Sequence, residues 1–576
     1  MAIDQHTAAG AARLIHDGFT AYNREFQQIT DRARRRFEQR DWHGQLRDVG
    51  ERVELYEHWV HRTLVALREQ LGDHVQDHAV WRGLRDYFGD RVEGVPDAGF
   101  MKTFFNSTAR RLLGTVGVDP DVEFVQPPPE EGVQSLTMRR YPCWDDVEAS
   151  CQKVLADFRV DVDYGDVSAD ARFMAAEVSA YLARRGLTAE QVRRFEFIDT
   201  HFFQGTRAYL VGRVRHDEGF MPIVVALRNA DEGVRVDAVL MQADQISVVF
   251  SYTRSYYFAD PTSVVAAVQF LHSILPGKPI DELYTVLGRL RQGKTERYRV
   301  FMQHLRETRD EFVHAAGDVG LVMIVFTLPS YNLVFKVMRD VFGAPKVTDH
   351  EAVADKYRLV SRHDHAGRLI DTQHFRNLEL PHARMSGELL DDLLAECGIN
   401  VRTDGDQLVF SSVYVERRVR PLNLYIREVE RQEARRAIRD YGQCIKDLAE
   451  TNIFAGDLLL KNFGVTDTGR VVFYDYDEVA LITDCNFREI PEPDDDYMMD
   501  PGKTHFVGPN DIFPEEFIRF LSLEPDLRQA FLQAHDDLLD PAYWRDVKHR
   551  RQRGEVSEVV PYARQTVPTA LIEKTA

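Results

Sequence analysis

Apolar residues return every third or fourth position along the first part of the chain. Ile15, Phe19, Tyr22, Phe26 and Ile29 follow a 4-3-4-3 spacing, which places them on one face of a helix. Val53, Tyr56, Trp59, Val60, Leu64 and Leu67 form a second amphipathic run, so residues 8 to about 75 are expected to be helical and to pack those faces together. From about residue 205 the period changes. Stretches 208–214, 222–228, 234–241 and 246–250 are short β-rich runs, with a hairpin turn at 229–233. The pattern predicts a small antiparallel sheet inside a mostly helical N-terminal half. A Pro- and Glu-rich segment at 127–132 reads as a loop.

A charged helical stretch at 277–310 reads as the connection to a second domain, where strands return. Segments 322–327 and 333–338 are expected to be strands joined by a turn containing Pro329. Lys336 stands at the centre of the second, between Phe335 and Val337. Helices are expected at about 349–363 and 386–396, then a strand at 408–415. A short polar link follows through Glu416, Arg417 and Arg418, then a helix at 429–448. The stretch 451–478 reads as a loop, a hydrophobic turn and a hairpin whose second strand, 471–474, delivers Asp475 at its end. An amphipathic helix at 517–539 and a basic run at 549–553 close the chain as packing and solvated tail.

Composition narrows the class. A chain of 576 residues with 44% apolar and 28% charged residues has room for two or more domains, each with its own core. The net charge of −20 argues against nucleic acid and anionic membranes as partners. Cys143, Cys151, Cys397, Cys444 and Cys485 are scattered without a paired motif, as in a protein with reduced thiols. No signal peptide is read at the start, and the longest apolar run, 321–328, is far too short to span a bilayer. A soluble, cytoplasmic protein is expected.

Against that background, three residues of the 451–478 stretch stand at offsets that phosphoryl transfer uses. Asp457 precedes Asn462 by five positions, and Asp475 follows Asn462 by thirteen. One carboxylate can orient an acceptor hydroxyl, while an amide oxygen and a second carboxylate hold Mg²⁺ against phosphates. A lysine centred in a strand needs a partner for its ammonium. In a kinase fold that partner is a phosphate, with a helix glutamate holding the lysine in place; Glu351 and Asp355 are both candidates. Gly317 and Gly320 offer a loop that can approach phosphates. The link after 415 has the form of an interlobe hinge, so the order Lys, hinge, Asp, Asn, Asp is complete and collinear.

These residues resemble one family: isocitrate dehydrogenase kinase/phosphatase, the bifunctional bacterial regulator of the glyoxylate bypass. The resemblance extends over most of the chain. It is carried by VMIVFTLP (322–329), VFKV (334–337), DTQ (371–373), ERR (416–418), NIFAGDLLLKNFGVT (452–466) and GRVVFYDYDE (469–478), with RFEQRDW (36–42) and ILPGK (274–278) earlier. It implies an α+β chain: a mostly helical regulatory domain with a small antiparallel sheet at 1–309, then a bilobal protein-kinase-like domain at 310–576. It implies that Mg-ATP is used to phosphorylate a serine of NADP-dependent isocitrate dehydrogenase, that the same phosphate is removed, and that AMP acts as an allosteric effector. ATP and ADP contacts are implied at Ala315, Ala316, Gly317, Asp318, Val319, Gly320, Leu321 and Lys336. A catalytic role is implied for Asp457, Mg²⁺ ligation for Asn462 and Asp475, an active-site role for Asp371, and a role in dephosphorylation for Asp477. A homodimer is a further expectation.

The sequence also departs from ordinary kinases. Ala455 and Gly456 stand where His-Arg is usual, and the metal aspartate sits in Asp475-Tyr476-Asp477 rather than Asp-Phe-Gly. No C-x5-R phosphatase signature occurs at any cysteine, so dephosphorylation is expected to use the kinase site. The segment 490–514, acidic and Pro-rich, reads either as a solvated loop or as a docking loop for the protein substrate. Two other readings remain at this level. Gly288, Gly293, Lys294 and Thr295 match the P-loop expression G-x4-G-K-[ST], which would make the chain a P-loop NTPase. A catalytically silent kinase-like binding protein is the other.

Overall fold

The computed structural model describes residues 5–125, 135–143, 146–251, 257–344, 346, 348–363, 366–490 and 507–562. The expected loop at 127–132 lies outside them, as does most of the acidic segment, 491–506. The described residues fall into two compact units. One draws on Met1–Ser251, Ser255–Thr308 and Pro561–Ala576, the other on Arg309–Val560.

In the first unit, the long amphipathic stretch is two helices, Gln5–Glu38 and Trp42–Leu71. The chain reverses at Arg40, whose φ of 55° breaks the helix, and Asp41 caps the next one by accepting from the Gly44 amide at 2.8 Å. Ile15, Phe19, Tyr22, Phe26 and Ile29 are all buried. The two helices approach closely enough that a Cβ on Gly18 would lie 2.2 Å from the Thr63 hydroxyl. Further along, Tyr22 meets Tyr56 edge-on at 5.4 Å. Two more helices, His78–Val92 and Ala98–Leu113, complete this bundle.

The sheet of this unit is larger than the pattern predicts. Its strands are β1 (Met138–Pro142), β2 (Val192–Ile198), β3 (Phe202–Gln204), β4 (Arg207–His216), β5 (Gly219–Ala230) and β6 (Gly233–Leu240). They run antiparallel in the order β1-β2-β4-β5-β6, with β3 beside β4. The expected strand at 246–250 is instead part of a helix, Ala243–Val249. A short, mostly apolar run without strict alternation satisfies either element, and here its buried Ile246 and Val249 are three apart, on one helical face.

The second unit has the expected kinase-like organisation. Five antiparallel strands stand in the order β10-β14-β9-β8-β7: β7 (Val313–His314), β8 (Met323–Thr327), β9 (Leu333–Met338), β10 (Thr372–Phe375) and β14 (Val413–Arg417). Helix His350–His363 packs against them, with Tyr357 stacked on Tyr414 at 4.2 Å. Between β10 and β14 the chain forms a separate three-stranded sheet, β11 (Leu378–Pro381), β12 (Val401–Asp404) and β13 (Gln407–Phe410), beside helix Gly387–Glu396. The single strand expected at 408–415 is therefore two strands in two sheets, broken at Ser411 and Ser412.

The helical half follows. Helix Arg431–Glu450 lies at its centre, and Ala434, Ala437, Ile438, Tyr441, Ile445 and Leu448 bury one face of it. Short strands β15 (Arg420–Pro421), β17 (Phe463–Val465) and β18 (Val471–Phe473) form one ribbon, while β16 (Ile453–Phe454) pairs with β19 (Ala480–Leu481). The end of the chain corrects the expectation of one helix and a solvated tail. Helices Pro525–His535 and Pro541–Gln552 both pack on the core, and Trp544 is fully buried. The basic run belongs to the second of them, where Arg550 pairs with Glu450 at 2.7 Å. The fold is α+β, as the sequence predicts.

Candidate active site

Lys336 is buried at the centre of β9, and its ammonium donates to the Tyr474 carbonyl at 2.7 Å. Its charge is met by Glu416 at 2.7 Å. Both side chains are almost wholly out of water, where a lone charge would be costly. The glutamate comes from β14, the strand beside β9, and accepts a further hydrogen bond from the Thr372 hydroxyl at 2.7 Å. Neither helical candidate serves: Glu351 is exposed, and Asp355 pairs with Arg358 on its own helix. The polar link expected from 416 starts later, because Glu416 and Arg417 are still strand. An acid that follows Val413, Tyr414 and Val415 within one strand is the signal that could have identified it.

The loop from β7 to β8 contains Ala315, Ala316, Gly317, Asp318, Val319, Gly320 and Leu321. It begins with the Ala315 amide bonded to the Val325 carbonyl at 2.9 Å, and is exposed from Ala316 to Leu321. Gly317 has a φ of 128°, a conformation that side chains resist. Asp318 lies 3.8 Å from Lys461, one residue before Asn462, so this loop arches over the stretch that carries the acidic groups.

That stretch is held by backbone and aromatic contacts. Gly456 has a φ of 80°, and a Cβ there would lie 2.3 Å from the Glu478 carbonyl oxygen. Only glycine fits, which explains the missing arginine before Asp457. The Asp457 carboxylate accepts from the Leu459 amide at 2.9 Å, and the Asp457 carbonyl accepts from Asn462 Nδ2 at 3.2 Å. Asn462 is buried. With its amide nitrogen so engaged, its Oδ1 is the atom that can face a cation.

Asp475 follows β18 directly. Arg368 positions that strand: it spans Asp440 and Asp447 on helix Arg431–Glu450 at 2.7–2.8 Å and donates to the Val471 carbonyl at 2.9 Å. Burial raises the Asp475 carboxyl to about 7, and the like charge of Asp477 adds to it, against the opposing pull of Lys336 and Lys346. Tyr476 turns inward, fully buried, and donates to the Ile370 carbonyl at 2.8 Å. Asp477 pairs with Lys346 at 3.0 Å, and Lys346 also meets Glu478.

Asp371 follows Leu369 and Ile370, which run alongside Phe473 of β18; the Ile370 amide donates to the Phe473 carbonyl at 3.3 Å. Gln373 donates to its carboxylate at 3.4 Å. The structure thus brings Lys336, Asp457, Asn462, Asp475 and Asp477 to one region, with the 315–321 loop and the 371 segment bordering it. Sequence reasoning missed Glu416, Lys346 and Arg368, each of which acts across a long sequence separation.

A buried carboxylate held near neutrality and an amide oxygen suit Mg²⁺, which takes one or two protein ligands and completes its shell with phosphate oxygens and water. The P-loop alternative does not survive. Helix Ile280–Val286 precedes Gly288 where a strand is required, and Gly293, Lys294 and Thr295 lie inside helix Leu290–Glu307. The Gly293 amide is spent on the Arg289 carbonyl at 2.8 Å, so it cannot cradle a phosphate.

Two family models together match nearly the whole chain: the regulatory domain of isocitrate dehydrogenase kinase/phosphatase (AceK) over residues 12–309, and its kinase domain over residues 310–564. Curated relatives agree. A protein named isocitrate dehydrogenase kinase/phosphatase from Anaeromyxobacter dehalogenans (strain 2CP-C) is 45% identical, covering 96% of this chain and 97% of its own length. One of the same name from Xanthomonas campestris pv. campestris (strain 8004) is 42% identical, covering 97% of each. Another, from Burkholderia thailandensis, is 37% identical, covering 96% of this chain and 93% of its own length.

Proposed function

The chain belongs to the isocitrate dehydrogenase kinase/phosphatase family, and from that premise we propose that it phosphorylates isocitrate dehydrogenase and removes the phosphate again in one site. The observation that carries the reading is the convergence of a buried, ion-paired Lys336 with Asp457, Asn462 and Asp475 beneath a glycine loop. In the finer form of the proposal the phosphoryl donor is ATP, the acceptor is a serine of the NADP-dependent enzyme, and phosphorylation diverts carbon to the glyoxylate bypass. AMP is the proposed effector.

Each residue has a physical task. Lys336, oriented by Glu416, neutralises α- and β-phosphate charge. Asp457, its carboxylate fixed by the Leu459 amide, accepts a hydrogen bond from the serine hydroxyl and aims it at the γ-phosphorus. Asn462 and Asp475 hold Mg²⁺, which supplies charge neutralisation at the transferring phosphoryl group when bound. In the reverse direction phosphoserine and ADP give serine and ATP. Water then attacks the terminal phosphorus, giving ADP and inorganic phosphate. Asp371 or Asp477 positions that water.

The test mixes the purified chain, Mg-ATP and NADP-dependent isocitrate dehydrogenase, following label incorporation and dehydrogenase activity together. Labelling with loss of activity, reversed on adding ADP or AMP, supports both directions. ATP binding with no labelling would reject the substrate. No binding of ATP at all would leave a kinase-like binding protein.

A further inference from the structure

One buried carboxylate in the first unit organises four arginines. Glu196 of β2 is 3% exposed in its side chain and meets Arg194 at 2.7 Å, Arg213 at 2.6 Å, Arg215 at 3.4 Å and Arg140 at 3.8 Å. All four come closest to it through Nε, and the terminal nitrogens make no hydrogen bond to the glutamate. Among the described residues none of those terminal nitrogens has a hydrogen-bond partner. The residues share one sheet face: Arg140 stands opposite Glu196, Glu196 opposite Arg213, and Arg194 opposite Arg215.

This arrangement is unfavourable by itself. Like charges directly opposite on neighbouring strands repel, and one glutamate leaves three positive charges uncompensated in a chain whose net charge is −20. The cations are nevertheless held in place. The Arg213 guanidinium lies 5.1 Å from the rings of both Phe220 and Phe270, and that of Arg215 5.3 Å from Phe220. Glu196 keeps its charge under these conditions, its carboxyl lowered to about 2: burial works against that, but the arginine hydrogen bonds and charges outweigh it. The nearby Asp217 and Asp199 do not relieve the excess, because they pair with Arg193 and Arg139.

We infer that the Arg140–Arg194–Arg213–Arg215 face is a binding site for a small multivalent oxyanion, a compound with at least two phosphate or carboxylate groups. Arg140 on β1, Arg194 on β2, and Arg213 and Arg215 two residues apart on β4 stand at backbone positions roughly 10 by 7 Å across, with the strands about 4.8 Å apart, and their guanidiniums converge on Glu196. A single monovalent anion would offset only one of the three positive charges that Glu196 leaves uncompensated. Arginine forks are suited to bidentate contact with either kind of group. All four arginines belong to the first unit, and the inference goes beyond the activity proposed above.

The experiment is isothermal titration calorimetry on the full-length chain bearing Lys336→Met, which disables the lysine of the kinase cleft. Inorganic tripolyphosphate and citrate are the probes, each at a fixed ionic strength of about 0.15 M. Saturable binding of either is expected, and the responding probe tells phosphate from carboxylate selectivity. The double variant Arg194→Gln/Arg215→Gln is expected to bind at least about tenfold more weakly. Arg140→Gln, a change at an exposed position on the edge strand, should also weaken binding and leaves a test if the double variant does not fold. Absence of saturable binding by both probes overturns the inference, as does unchanged affinity in the folded variants.

Discussion

Lys336 Nζ lies 2.7 Å from Glu416 Oε2, and the two residues stand on adjacent strands rather than on strand and helix. The register places Lys336 opposite Tyr414 and Glu416 opposite Val334, so the pair crosses the sheet diagonally. An ion pair between two strands is as rigid as the sheet itself. The lysine is therefore set by the same hydrogen-bond ladder that forms the lobe.

Removing one partner strands the other. Glu416→Ala leaves a buried, unpaired ammonium and is expected to cost about 3–5 kcal/mol of stability. It should also lower the phosphorylation rate at least about a hundredfold through misplacement of the lysine. Glu416→Gln keeps the hydrogen bond from Thr372 and should recover much of the stability but little of the rate. Thermal unfolding and kcat, measured on both variants, check this; normal kcat in Glu416→Ala would reject the positioning role.

Asp475 carries a pH dependence of readable sign. Its carboxyl is raised to about 7 by burial and by Asp477, so the folded chain binds a proton that the unfolded chain has already lost above its ordinary pKa near 4. Stability is then lost as pH rises through that window. Asp475→Asn should raise the melting temperature at pH 8 by a few degrees and leave it nearly unchanged at pH 4. The same proton competes with the cation, so apparent Mg²⁺ affinity should fall as pH drops below 7, with proton release on binding. A flat Mg²⁺ affinity from pH 6 to 8 would refute this.

Gly456→Ala tests the turn before the catalytic loop. The new methyl meets the Glu478 carbonyl at 2.3 Å in a backbone region that favours glycine. The loop must move, and Asp457 moves with it. A stability loss of about 1–3 kcal/mol with a larger proportional loss of kcat is expected. Measuring both separates a folding defect from a displaced carboxylate.

What was legible in the sequence is what is local. The faces of the first two helices follow from spacing alone, because each helix buries one stripe, and the order Lys336, Asp457, Asn462, Asp475 is readable without knowing any contact. Residues 246–250 were not, since a run without polar alternation fits strand and helix equally. Glu416 was read as a link because its partner is on another strand far back in the chain. The reading of 549–553 as a solvated tail failed for a similar reason: Glu450, which Arg550 meets, lies about a hundred positions earlier. Charge pattern alone does not show where a counter-charge will be placed by folding.

The P-loop match gives a clean contrast. Lys294 is inside a helix with its pKa well below the ordinary value, through burial and the nearby Arg291 and Arg110. Lys294→Met is expected to leave ATP affinity unchanged within about twofold, whereas Lys336→Met should weaken it or abolish phosphorylation. Fluorescent-nucleotide titration of the two variants decides between the sites.

Asp477 is the residue through which the two directions can be separated. It sits two positions beyond Asp475, takes the ammonium of Lys346 at 3.0 Å, and makes no described contact with Asp457 or Asn462. Phosphorylation needs the acceptor hydroxyl and the cation ligands, and none of those is Asp477. Net hydrolysis needs a water in addition, and a carboxylate beside the cation ligands can hold one. Asp477→Ala should therefore lower dephosphorylation at least about tenfold more than phosphorylation, assayed on the same dehydrogenase preparation. The substitution also removes a like charge from beside Asp475, so the pH at which Mg²⁺ affinity declines should move to lower values. A structural role alone would depress both rates together. Equal loss in both directions would mean that the water is placed by another group, and Asp371, bordering the site just before β10, is the residue to substitute next.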